Sequence, residues 1–114
     1  MAPDETRALV QALSGLDEDE LLEKLADQVA LGVGPLDPQR KRAIARAWMD
    51  AQRDSFRASI CSDPRVQAIR DRAAVDEVAA AAAVADLIAA VTGKLPAATA
   101  AMLLVRTGLD RLCD

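Results

Sequence analysis

The chain has 114 residues, 52% of them hydrophobic and only 2% aromatic, with a formal net charge of −4 at neutral pH. A chain of this length makes one domain with its own core, without needing metals or disulfides. It contains no histidine, so the commonest general base and the commonest transition-metal ligand are both missing. That excludes the usual forms of zinc chemistry and of Ser-His or Cys-His nucleophilic catalysis.

Trp48 and Phe56 are the only aromatic residues, so the core must be built from Leu, Val, Ile and Ala. That composition favours closely packed helices over strands. The expected fold is all-α: a compact bundle of five or six helices with an alanine-rich C-terminal helical hairpin at its centre. One helical domain is expected over 1–114, with an acidic helix pair in 1–34, basic helices in 38–72 and the Ala-rich hairpin in 73–113.

The first helix opens at Asp4 and Arg7, carries Ala8, Leu9, Ala12 and Leu13 on its apolar side, and closes at Ser14 and Gly15. Asp17 with Glu20 three residues later has the spacing of a capping box, and Glu18 and Asp19 suit the positive end of the helix dipole. In the second helix Leu21, Leu22, Leu25, Ala26 and Val29 share a face, with Gly32 as its end and Gly32–Pro35 as a jointed loop.

Asp37 followed by Pro38 marks the start of a third helix, expected to reach about Ile60. At 100° per residue, Ile44, Trp48, Ala51, Ser55 and Ser59 fall on one face and are read as the inner one, with Trp48 as anchor. Arg42, Arg46, Met49, Arg53 and Arg57 form a strip on the opposite side, read as outward. Asp63 and Pro64 repeat the start signal for a fourth helix, which turns Val66 and Ile69 inward.

From Ala73 to Thr92 a ridge of Val84, Leu87, Ile88 and Val91 stands opposite a smooth face of Ala79, Ala82, Ala83, Asp86 and Ala90. Gly93 is the expected C-terminal cap and Pro96 lies in the first turn of the last helix. There Leu95, Ala98, Met102, Val105, Leu109 and Leu112 are spaced like a heptad seam. Gly108 weakens that helix, which makes it the place for a kink.

Charge is divided along the chain. Residues 1–37 hold nine acidic and two basic residues, 38–72 four and nine, and 73–114 five and three, giving −7, +5 and −2. Part of this is expected as a solvated lacework within the third helix, pairing Arg46 with Asp50, Asp50 with Arg53, and Asp54 with Arg57. The rest points to a non-enzymatic protein-interaction module, an adaptor or assembly unit. Its basic surface is Arg42, Arg46, Arg53 and Arg57, and its acidic surface is Asp17, Glu18, Asp19 and Glu23.

The expected partner is a protein, either a second copy in a homo-oligomer or a larger one. In size, helical content and opposed charge the chain is similar to death-fold adaptor domains, and that likeness of layout implies homotypic association. A nucleic-acid role for Arg40, Lys41, Arg42, Arg46, Arg53 and Arg57 is disfavoured by the acidic overall balance.

The alternative from a different class is an accessory or ligand-binding subunit, or a small helical enzyme. Its apolar pocket would lie near Asp86 and Trp48, between the alanine face and the third helix. Asp76, Glu77 and Asp86 do not form a catalytic pair, because Asp76 and Asp86 are about 15 Å apart along a helix and Glu77 faces away from Asp86. No cofactor or metal is expected. Cys61 and Cys113 have no metal spacing and are read as separate thiols without a disulfide. Asp86 and Lys94 with Pro96 interrupt the apolar runs below the about 20 residues that span a bilayer. The acidic N-terminus lacks a secretory pattern, so the expected location is the cytoplasm.

Overall fold

In a computed structural model the chain is all-helical, and residues 3–30, 36–71 and 76–113 are described. The described residues form α1 (Pro3–Leu13), α2 (Glu18–Val29), α3 (Pro38–Ile60), α4 (Pro64–Arg70), α5 (Glu77–Thr92), α6 (Lys94–Thr107) and α7 (Leu109–Cys113). The seventh element arises at Gly108. Its φ of 104° stops α6 and restarts the chain as a one-turn helix, so the expected final helix is divided rather than kinked. The radius of gyration is 13.4 Å, that of a chain this long folded as one unit.

Local capping sets the helix starts. Asp17 accepts the Glu20 amide at 2.8 Å while the Glu20 carboxylate accepts the Asp17 amide at 3.2 Å, a complete capping box. Asp37 and Asp63 cap α3 and α4, each with proline behind it. Helix α2 stops at Val29 with Ala30 as C-cap, before Gly32, and the expected Gly32–Pro35 joint lies outside the described residues.

The hairpin of α5 and α6 is the centre of the bundle. Ala97 to Leu104 are all buried, and a helix apolar on every side is one surrounded by protein. Alanine lets the neighbours approach closely. Helix α2 packs on α6, α1 on both hairpin helices, and α3 and α4 on α5. The buried Thr99 hydroxyl donates to Gln28 Oε1 at 2.8 Å, tying α6 to α2 without leaving a polar group unmet. Of the heptad seam, Ala98, Met102, Leu109 and Leu112 are buried, whereas Leu95 is 55% exposed at the hairpin turn. On α5, Val84 and Ile88 face inward as expected, but Val91 is 48% exposed beside the same turn.

Two helices are rotated from the expected phase. In α1 the inner face is Thr6, Val10 and Leu13, while Ala8 and Ala12 are exposed. In α3 the buried residues are Ala45, Phe56 and Ile60; Ala51 and Ser55, assigned to the inner face, are exposed. Trp48 is half-buried at the edge of the core, its ring 6.0 Å from that of Phe56 in an edge-to-face contact. A side of α3 carrying arginines therefore faces α2, which is possible because long basic side chains cover apolar surface with their stems while the heads reach water.

The expectation of separate thiols is overturned. Cys61, the C-cap of α3, and Cys113, the last residue of α7, form a disulfide. Arg70 Nε reaches Asp110 Oδ1 at 2.7 Å, and Leu109 and Leu112 are buried, so α7 is held on three sides.

Candidate functional site

The expected acidic and basic surfaces meet inside one chain. Asp19 Oδ1 lies 4.0 Å from both Arg42 Nε and Arg46 Nη2, and Glu23 Oε2 is 3.3 Å from Arg42 Nη1. Lys41 Nζ adds a contact to Asp27 Oδ1 at 2.9 Å. These pairs align α2 with α3. The lacework expected within α3 is absent: among the described residues Asp50 and Asp54 take part in no ion pair.

Arg53, Arg57 and Arg111 likewise hold no ion pair among the described residues. Arg53 donates to the Arg111 backbone carbonyl at 3.4 Å, which brings α3 and α7 together at this end of the molecule. Asp17 and Glu18 are exposed at the start of α2, with Asp17 occupied as the helix cap.

Between these groups lies a cleft of about 350 Å³. Its floor is Leu22, Met49, Phe56, Leu103, Leu104 and Leu112, and its charged rim is Glu18, Arg46, Asp50, Arg53 and Arg111. Helices α2 and α3 form two walls, and the turn at Gly108 with α7 forms the third. Three of the five rim charges, Glu18, Arg46 and Arg53, belong to the interaction surfaces expected from the sequence, whereas Asp50, Arg111 and the leucines of α6 do not. Gly108 was the one available signal, since a break there turns α7 across the end of α3.

Asp86 and Trp48, expected to line a pocket, stand apart from this cleft. Asp86 is exposed, and its Oδ1 accepts the Thr6 hydroxyl at 3.0 Å. Helix α1 packs against α5, but the smooth face is only partly covered: Ala79, Ala82 and Ala83 are half-buried and Ala90 is exposed, while the buried alanines of α5 are Ala80, Ala81 and Ala85.

Arg106 organises the opposite side of α6. Its Nε meets Glu77 Oε1 at 2.5 Å, its Nη2 donates to the Ser14 carbonyl at 2.6 Å, and its Nη1 donates to the Leu16 carbonyl. This fork holds the α1–α2 turn and explains why an arginine interrupts an otherwise apolar helix.

No family model, no curated protein and no solved structure matches the chain. Among the described residues no cluster of three or more His, Cys, Asp or Glu is placed to hold a metal ion, and no helix is long and apolar enough to cross a membrane.

Proposed function

We propose that the chain is a non-enzymatic interaction module that associates through charged helical surfaces. The observation carrying this reading is the contrast between satisfied and unsatisfied arginines. Arg42 and Arg46 already meet acids of α2, whereas Arg53, Arg57 and Arg111 have no carboxylate partner among the described residues. Arg53 and Arg57 are one turn apart on α3 and form a basic end for the molecule. The exposed Asp17 and Glu18 at the head of α2 are the complementary acids, and a second copy joining head to tail brings the two sets together. Lys41, Arg42 and Arg46 spend their charge within the chain, which weighs against phosphate tracking by the basic strip.

Sedimentation at two salt concentrations tests the module. Association that weakens with salt, is lost in Arg53→Glu/Arg57→Glu, and returns when that variant is mixed with Glu18→Arg supports it. A monomer at low salt over the whole concentration range removes self-association, and a larger acidic protein is then the partner to seek.

The cleft supports a second reading, a ligand-binding or accessory domain. Its volume of about 350 Å³ falls at the lower end of small-molecule sites, which span roughly 300–1,000 Å³. The disulfide bears on location in both readings. Such bonds persist in oxidising compartments and are rare in the cytosol, so Cys61–Cys113 weighs against the cytoplasmic expectation.

A further inference from the structure

We propose that the Cys61–Cys113 bond is a redox-operated latch: a dithiol reductant opens it, and α7 then swings away from α3 about Gly108 while α1–α6 stay folded.

Exchange needs access to a sulfur. Both cysteines are only partly buried and pack against the core from outside it, so a small thiol meets them in the folded protein. A thiolate of the reductant attacks one cysteine sulfur, the bond between the cysteines breaks, and the other cysteine leaves as a thiolate and takes a proton. The reductant's second thiol then displaces the first cysteine from the mixed disulfide. The chain has gained two electrons and two protons, and the reductant departs as a disulfide.

Little else holds α7. Its five residues are too few to be stable as an isolated helix. Leu109 and Leu112 are buried, but the Asp110 side chain that meets Arg70 is 70% exposed, so that ion pair adds little. The bond from Arg53 to the Arg111 carbonyl is 3.4 Å long, beyond the usual range. Without the disulfide, the entropy of ordering five residues outweighs two buried leucines and one exposed ion pair.

Gly108 supplies the pivot. Its φ of 104° lies where glycine moves freely, and no atom stands within 4 Å of the place a Cβ would take, so the chain has room to turn there. The rest of the fold does not depend on α7, which packs mainly on α3 and α6. Val10, Leu21, Leu25, Val84 and Ile88, all 0% exposed, belong to α1, α2 and α5. Release takes Leu109 and Leu112 out of the core and bares the parts of α3 and α6 beneath them.

Methyl NMR of the oxidised protein, its disulfide confirmed by intact mass, during titration with dithiothreitol under native conditions tests the latch. Reduction should move the Leu109 and Leu112 methyl resonances to unstructured positions while those of Leu21, Leu25, Val84 and Ile88 remain native. Oxidised glutathione should return them. Cys113→Ser, which cannot form the bond, should match the reduced protein with no reductant present.

Leu109 and Leu112 resonances that stay in place after reduction, or in Cys113→Ser, show that α7 holds itself and overturn the latch. Loss of the Leu21, Leu25, Val84 and Ile88 positions along with them makes the bond a staple of the whole fold and overturns it equally. A bond that dithiothreitol reduces only in urea is closed to exchange, and the proposal fails on that result too.

Discussion

Cys61 and Cys113 are joined by a disulfide across 52 residues, with their Cα atoms 5.5 Å apart. The bond fastens the last residue of α7 to the end of α3, and α7 is one wall of the cleft. A five-residue helix has little stability of its own.

Closing a loop of that length removes enough entropy from the unfolded chain to stabilise the fold by about 4 kcal/mol in the chain-entropy account. Reduction by dithiothreitol should therefore lower the urea midpoint substantially, and Cys61→Ala/Cys113→Ala should behave like the reduced protein. Hydrogen exchange should quicken first in α7. Equal midpoints with and without reductant, in protein confirmed to carry the bond, would sink this assignment.

The helix starts were legible in the sequence because they are local. Asp17 with Glu20, Asp37 with Pro38 and Asp63 with Pro64 need only their own turn to act. The phase of α3 was not legible. Trp48 and Ile44 draw the eye to one face, but the core took Ala45, Phe56 and Ile60, because α2 supplies acids that satisfy Arg42 and Arg46 on that side. The disulfide and Arg111's place on the cleft rim depend on where α7 turns, and Gly108 marks the turn without giving its direction.

Arg106 bridges Glu77 and the carbonyls of Ser14 and Leu16 from a side chain 24% exposed. Arg106→Ala leaves those acceptors unpaired in a half-buried setting, and the expected loss is about 2–3 kcal/mol. Arg106→Lys should recover only part of it, since a point charge cannot reach three acceptors in one plane. Urea denaturation of the three proteins decides this. A lysine variant as stable as the parent would show that charge alone is needed.

Asp63 caps α4, accepting the Arg65 amide at 2.9 Å. That bond, followed by the Arg65 side-chain contact at 3.3 Å and the charge of Arg65, holds its carboxyl below the ordinary value. A carboxyl depressed by folding contributes stability that is complete above its unfolded value, about 3.9, and is lost as the pH falls through the folded value. Asparagine can also cap a helix, but it does not titrate. Asp63→Asn should be less stable than the parent near neutral pH, and the gap should close below about pH 4. A gap that stays constant across urea midpoints down to strong acid would show that the cap's charge plays no part.

Two glycines predict opposite outcomes for the same substitution. At Gly108 the backbone has φ of 104°, a conformation that a Cβ strains wherever it points, although a methyl there would meet nothing within 4 Å. Gly108→Ala should cost about 2 kcal/mol through the backbone alone, and it should loosen the α7 wall. Gly15 also has open space around it but is not among the positive-φ glycines. Gly15→Ala should therefore be neutral or stabilising by about 0.5 kcal/mol, because it restricts the unfolded chain. Thermal unfolding of the two variants separates strain from crowding. Equal effects at both sites would mean that the turn at Gly108 does not require its left-handed backbone, and the third wall of the cleft would then lack its cause.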